Sequence, residues 1–251
     1  MADWPPACAP IAHPISLSDA AGVLVTRPEP GASETAELVA ALGYTPIIAA
    51  LLDIHPLRAA LPAAGRFQAI LATSGNATRA LPSSHRDLPL FAVGEATAAR
   101  ARAAGFTRVR SANGNACALA ALVAKWCADR AAPLLLVTGR GHGRDLAADL
   151  RSRGFSVIRR AVYAAVPVTV LPCAARAELA SGRLVAALFF SAETARQCIR
   201  LVRAARLDEA VRPVEALAIG EPAAVALRAL PWRRIRVAER PNQKAMLALL
   251  K

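Results

Sequence analysis

The sequence lacks the cysteine and histidine spacing that a metal centre or a thiol redox pair requires. Its five cysteines are far apart without any CxxC pair, and its four histidines form no HExxH motif. Since zinc sites need ligands at short, regular spacings, metal chemistry is not expected. We interpret the thiols as small apolar residues in a reducing compartment. The cysteines are Cys8, Cys117, Cys127, Cys173 and Cys198, and the histidines are His13, His55, His85 and His142.

Aromatic and acidic residues are also scarce. Aromatic residues make up 4% of the chain against a hydrophobic share of 55%, which is typical of a globular protein rather than a disordered one. The formal net charge is +13. Two interpretations stay open: a polyanionic partner, or arginines spread over solvated helix faces by compositional bias. The basic clusters are short and lack interleaved aromatic residues, which argues against a surface for single-stranded nucleic acid.

Long apolar runs are missing as well. No run reaches membrane-spanning length, and the first residues contain Asp3 and several prolines but no basic start. We therefore expect no secretory signal, a flexible tail over residues 1–21 and a cytoplasmic protein.

What the chain does contain is one strand-loop-helix plan used twice. Leu24-Val25-Thr26 matches Leu136-Val137-Thr138, and the strands at 69–72 and 91–93 match those at 186–189 and 217–219 in the same order. Strands that alternate with helices predict parallel sheets covered by helices. Further strands are predicted over 44–52, 133–138 and 155–158, and helices over 33–42 (with Ser33 as N-cap), 116–130, 144–153, 174–181 and 242–251.

A threonine, serine or glycine stands at the end of each strand in the three matched pairs. In parallel sheets ligands bind beyond the carboxyl ends of the strands, and exposed backbone N–H groups and hydroxyls there suit an anion. Ordinary N-caps and turns would explain any one of these residues, but the six together favour an anion-binding role. They are Thr26, Ser74, Gly94, Thr138, Ser191 and Gly220.

Two local features have a weaker chemical signal. The glycine-rich loop 139–143 has neither the Walker Lys-Ser/Thr nor GxGxxG spacing, so a nucleotide loop is rejected. Tyr163 ends an extended run, where its phenol is either a proton donor in a cleft or an edge-strand side chain with its hydroxyl in solvent.

Taken in order, these motifs resemble the uroporphyrinogen-III synthase family over nearly the whole chain, from Gly22 to Leu250. The resemblance implies an α/β fold of two similar domains, each a parallel sheet flanked by helices, joined by a two-stranded connector with the active-site cleft between them. One domain would comprise 22–52 and 168–251, and the inserted domain 57–160, with connectors at 53–56 and 161–167. The motifs are Val25-Thr26-Arg27-Pro28-Glu29, Leu42-Gly43-Tyr44, Thr73-Ser74-Gly75-Asn76-Ala77, Ala92-Val93-Gly94-Glu95-Ala96-Thr97-Ala98, Val162-Tyr163, Phe190-Ser191 and Ala218-Ile219-Gly220.

The family resemblance also implies a reaction, a lyase step in haem biosynthesis. Linear hydroxymethylbilane, which carries eight carboxylates, is cyclised to uroporphyrinogen III with inversion of ring D and loss of water. No cofactor, nucleic acid or membrane is implied, and a monomer is expected. The resemblance makes Tyr163 the catalytic residue. It places substrate binding at Arg27, Thr73, Ser74, Gly75, Asn76, Gly94, Thr97, Gly139, Arg140, Gly141, Ser191, Ala192 and Gly220.

Two features depart from the family pattern. Ala223 stands where the Gly220 motif usually continues to a Thr, and the loop 139–143 is unusually rich in glycine. These departures leave open a non-catalytic two-domain sensor that binds a tetrapyrrole or another polycarboxylate. The charge leaves open a nucleic-acid-binding protein.

Overall fold

The computed structural model describes residues 21–127 and 132–251, which form two compact units. Unit 1 contains the described residues up to Asp53 together with Pro167–Lys251, and unit 2 is Ile54–Val166. The tail predicted over 1–21 lies outside the described residues except for Ala21. No helix in the described ranges has the length and apolar character needed to cross a membrane.

Eleven strands and nine α-helices occur in the described part of the chain. The strands are β1 (Gly22–Val25), β2 (Thr45–Ile48), β3 (Leu52–Pro56), β4 (Ala69–Ala72), β5 (Leu90–Ala92), β6 (Val109–Ser111), β7 (Leu134–Gly139), β8 (Val157–Pro167), β9 (Leu184–Phe189), β10 (Glu215–Ala218) and β11 (Arg234–Val237). The helices are α1 (Gly31–Ala41), α2 (Gly75–Thr78), α3 (Glu95–Ala103), α4 (Ala116–Trp126), α5 (Arg144–Ser152), α6 (Cys173–Ser181), α7 (Ala192–Ala204), α8 (Glu221–Leu227) and α9 (Gln243–Ala248).

Unit 1 is built on a five-stranded parallel sheet with strand order β11-β10-β9-β1-β2. Side chains alternate between the two faces of this sheet. Val23 and Val25 pack with residues of α1 and α9, whereas Leu24 packs with residues of α6, α7 and α8. Both faces are therefore buried, which explains the continuous apolar runs of these strands.

Unit 2 has a six-stranded sheet in the order β3-β8-β7-β4-β5-β6, in which the strands from β8 to β6 are parallel. Leu134 and Leu136 pack with α4 and α5 on one face, and Leu135 and Val137 pack with α2 and α3 on the other. The prediction of parallel sheets flanked by helices is thus confirmed.

Several local predictions were wrong. The run 44–52 is not one strand, because β2 ends at Ile48 and β3 begins at Leu52 in the other sheet. Ser33 is not the N-cap of α1. The cap position is held by Pro30, and Ser33 donates its N–H and hydroxyl to the Glu29 carboxylate at 3.1 and 2.8 Å.

Two predicted elements have different ends. The strand predicted over 155–158 begins at Val157 and runs on to Pro167, so residues 161–167, predicted as a connector, continue β8. The helix predicted over 116–130 ends at Trp126, and residues 128–131 lie outside the described part.

Candidate functional site

In unit 2 the ring of Tyr163 lies over Gly139. Gly139 is the last residue of β7 and pairs with Tyr163 on β8, just after an irregularity in register between Thr138 and Gly139. A Cβ added to Gly139 would stand 2.8 Å from the ring carbon Cζ and 3.0 Å from the phenol oxygen. These separations are shorter than van der Waals contact, so any side chain at position 139 would force the ring to move.

The backbone of Tyr163 anchors the glycine-rich loop. The Arg140 N–H donates to the Tyr163 carbonyl at 2.7 Å, which fixes the start of the glycine-rich loop against β8. The Tyr163 ring packs at the edge of the apolar cluster around Val162 and is half-buried. Among the described residues its hydroxyl has no hydrogen-bond partner, and the side chain of Arg140 is exposed. Gly141 has a φ of +84°, in the left-handed region that favours glycine.

Thr73 follows β4, the strand next to β7. Its hydroxyl donates to the Thr138 hydroxyl at 3.3 Å, across the parallel pair β4 and β7. Thr138 is fully buried, whereas Thr73 is half-buried at the end of its strand. Thr73 directly follows β4 and Gly139 ends β7, whereas Tyr163 pairs with Gly139 from within β8, which continues to Pro167. The prediction that Tyr163 ends an extended run was therefore wrong.

The next predicted residues form the turn into α2. Ser74 is the N-cap, and its oxygen accepts the Asn76 N–H at 3.2 Å, so the capping interpretation holds for this serine. Its hydroxyl proton is still available to a ligand. Gly75 is buried beneath a side chain that sequence reasoning missed: a Cβ on Gly75 would lie 2.8 Å from Nη1 of Arg100.

Arg100 belongs to α3, which also carries two of the predicted residues. Gly94 is the N-cap of this helix, and Thr97 is buried in its first turn. Arg100 follows Thr97 by three residues, so the two side chains occupy the same helix face. That spacing was the only signal in the sequence that could have identified Arg100.

In unit 1 the predicted residues cluster at the ends of β1, β9 and β10. The Arg27 guanidinium lies 4.3 Å from the centroid of the Phe190 ring. Its Nη1 also donates to Gln243 at 2.8 Å and to Thr35 at 3.3 Å. Arg27 thus joins β1 to α1 and α9 in addition to any role in binding.

Ser191 and Gly220 both precede helices. Ser191 is the N-cap of α7, which begins at Ala192; its oxygen accepts the Thr194 N–H at 3.1 Å and lies 2.6 Å from the Thr194 hydroxyl. Gly220 is the N-cap of α8, with a φ of 178° that any residue could adopt. Ala223, at the position of the expected threonine, is 1% exposed and faces the apolar core.

Two of the six strand-end residues do not face a ligand. Thr26 is fully buried and donates its hydroxyl to the Leu188 carbonyl at 2.6 Å, which joins β1 to β9. Thr138 is buried in the same way within β7. Both hydroxyls link adjacent segments of the sheets instead.

The buried thiol of Cys198 is unreactive at neutral pH. Burial raises the pKa of the Cys198 thiol to about 12, because a thiolate is poorly solvated in the core. Cys198 is therefore no nucleophile at neutral pH. Within residues 21–127 and 132–251, no group of three or more His, Cys, Asp or Glu side chains could hold a metal ion.

Comparison with known proteins supplies the family. The family model described as uroporphyrinogen-III synthase HemD matches residues 33–248. No curated protein matches the chain. A uroporphyrinogen-III synthetase from Helicobacter pylori has a similar structure, with a TM-score of 0.60 and 16% identity over 92% of this chain and 98% of that one. A mutant uroporphyrinogen III synthase from Thermus thermophilus has a TM-score of 0.50 and 20% identity over 92% of this chain and 97% of that one. These two likenesses concern the fold, whereas the family model covers most of the sequence, and the protein therefore belongs to the uroporphyrinogen-III synthase family.

Proposed function

We propose that this protein is a lyase that closes hydroxymethylbilane to uroporphyrinogen III, with inversion of ring D and release of water. Membership of the family makes it an enzyme of haem biosynthesis. The proposal adds the reaction type and the residues that carry it. We also propose that the enzyme acts as a monomer.

One observation carries the chemical part of the proposal: the Tyr163 phenol lies over Gly139, the last residue of β7. Ligands bind at this edge of parallel sheets, and the phenol has no hydrogen-bond partner among the described residues. It is therefore free to donate to an oxygen of the substrate.

The proposed reaction begins at the hydroxymethyl group. The Tyr163 phenol donates to the departing oxygen as the C–O bond breaks, so that water leaves and an azafulvene cation remains. The substituted carbon of ring D, which already carries the bridge from ring C, then attacks the reactive methylene to give a spiro intermediate. The bond from that carbon to the ring C methylene breaks, and the unsubstituted α-carbon of ring D attacks the freed methylene cation, which inverts the ring. The proton that the macrocycle loses at the end restores the phenol. Backbone N–H groups near the strand ends hydrogen-bond the departing oxygen.

Most of the catalytic effect is proposed to be positioning. The linear substrate closes spontaneously to the uninverted isomer, so the enzyme must hold ring D with its substituted carbon towards the methylene. Eight carboxylates offer many points of attachment, and the net charge of +13 favours their approach. We propose that the following residues bind them: Arg27, Ser191, Ala192 and Gly220 in unit 1, and Thr73, Ser74, Gly75, Asn76, Gly94, Thr97, Gly139, Arg140 and Gly141 in unit 2.

The test is to incubate the purified protein with hydroxymethylbilane and separate the uroporphyrinogen isomers by chromatography. The proposal expects the type III isomer, formed faster than the type I isomer arises without protein. If only type I forms, at the spontaneous rate, the proposed activity is wrong, and tight binding of uroporphyrinogen without turnover would then identify a sensor.

A further inference from the structure

A groove in unit 2 is lined by an unusual number of arginines. It lies between α5 and the first half of β8 and has a volume of about 540 Å³. Four of its lining residues are Arg144, Arg151, Arg159 and Arg160, and the others are apolar. Its lining shares no residue with the row formed by Thr73, Gly139 and Tyr163.

The positive charge of this groove is not balanced by the described residues. Arg151 donates to the Val157 carbonyl at 2.8 Å, Arg159 to the His142 carbonyl at 2.9 Å and Arg160 to the Arg159 carbonyl at 3.1 Å. These acceptors are neutral. The Arg144 side chain is exposed and forms no hydrogen bond or ion pair with the described residues.

The acids of α5 do not change this balance. Asp149 is paired with Arg153 at 2.8 Å, and neither residue lines the groove. Asp145 does not line it either. Four like charges in one groove repel one another, and a bound anion would relieve that repulsion.

We propose that this groove binds a small polyanion that carries at least two carboxylate or phosphate groups. Guanidinium groups offer paired N–H donors that match both anions, and the volume is that of a small-molecule site. The site goes beyond the proposed cyclisation, since binding here requires no turnover and none of the residues assigned to the substrate.

The groove is connected to the loop beside Tyr163. Arg159 holds the His142 carbonyl, and the His142 N–H donates to the Gly139 carbonyl at 3.1 Å. An anion that takes over the donors of Arg159 weakens the first of these bonds. The loop 139–143 then becomes more mobile next to Gly139, which contacts the Tyr163 ring. Binding in the groove therefore alters the position of the proposed catalytic residue.

Calorimetric titration of the full chain with inorganic triphosphate and with benzenehexacarboxylate tests the site. We expect saturable binding of at least one probe, and the tighter one identifies phosphate or carboxylate as the natural group. A variant with Arg144→Gln and Arg159→Gln should bind at least about tenfold more weakly, since two charged hydrogen-bond donors are lost. Arg200→Gln, an exposed arginine of α7, should bind as the wild type does. Absence of binding, or equal losses in the double variant and the control, would overturn the proposal.

The single variant Arg144→Gln serves if the double variant fails to fold. It should fold normally, because the Arg144 side chain makes no bond with the described residues. This variant should also lose affinity. Hydrogen exchange reports the connection to the loop: the bound probe should raise exchange in residues 139–143 of the wild type. Unchanged exchange at saturation would rule out the connection. These measurements involve no tetrapyrrole, so their failure is separate from a failure of the proposed reaction.

Discussion

The ring of Tyr163 occupies the space above Gly139 that any other residue would fill, with Cζ only 2.8 Å from the position of a Cβ. The two residues are neighbours across β7 and β8. Because Gly139 has no side chain, the ring of Tyr163, the proposed proton donor, can lie at this position.

Gly139→Ala should displace the Tyr163 ring and lower cyclisation by about tenfold or more, because small misplacements of a catalytic group are costly. Its rate of uroporphyrinogen III formation is measured under saturating substrate. Gly65→Ala is the matched control, since a Cβ there meets nothing within 4 Å. If Gly139→Ala retains full activity, the position of the ring is not important for the reaction.

Tyr163→Phe should lower the rate of type III formation by about a hundredfold, which is a typical loss for a general acid. Its free energy of unfolding should stay close to that of the wild type, because the lost hydroxyl bonds no described residue.

Tyr44, the other tyrosine, provides the opposite control. Its hydroxyl donates to the Leu250 carbonyl at 2.5 Å, so Tyr44→Phe should cost about 1 kcal/mol of stability and leave the rate per folded molecule unchanged. Urea denaturation and isomer analysis of both variants separate the two effects. Full activity in Tyr163→Phe would remove the phenol from the mechanism while leaving the fold intact.

Ala223→Thr restores the hydroxyl that the family pattern contains at this position. The side chain of Ala223 is 1% exposed and packs in the core of unit 1, so the added atoms should destabilise the fold by about 1–3 kcal/mol. Because the hydroxyl would face the core, KM for hydroxymethylbilane should not improve. A clearly lower KM in steady-state kinetics would show instead that this position contacts substrate.

Stability at alkaline pH should depend on Cys198. Its pKa is raised to about 12 in the fold, against about 8.5–9 in an unfolded chain, so the unfolded state releases its proton first as pH rises. Below the pKa of the unfolded chain, the stabilisation that this group contributes is fully present. Above that pKa, the free energy of unfolding falls by up to about 1.4 kcal/mol per pH unit. Cys198→Ala lacks this loss, so the stability difference between wild type and variant should shrink from pH 8 to pH 11 in urea titrations. A difference that is constant with pH would contradict the burial effect.

Much of the fold was predictable because the strands are buried on both faces. Runs such as 134–137 are continuously apolar, and the glycine and hydroxyl residues after them indicate where each strand ends. The boundary between β2 and β3 was not predictable from the sequence. Both strands have the residue pattern of an extended segment, and only the structure shows that they belong to different sheets. Ser33 was misassigned since a serine near a helix start usually caps it, whereas here it bonds Glu29.

The candidate site was predictable in its positions more than in its contacts. The sequence placed Thr73 correctly after a strand, but Tyr163 lies inside β8 and not at its end. Thr26 and Thr138 were expected to face a ligand, although both are buried. Sequence reasoning also missed Arg100, because a side chain that crosses from α3 to cover Gly75 leaves no local pattern.

The isomer distribution from hydroxymethylbilane decides whether the protein catalyses closure with inversion of ring D. With the wild-type protein at increasing concentration, uroporphyrinogen III should replace the type I isomer as the catalysed closure outpaces the spontaneous one. A product that stays type I at every protein concentration, at the rate seen without protein, would contradict the account.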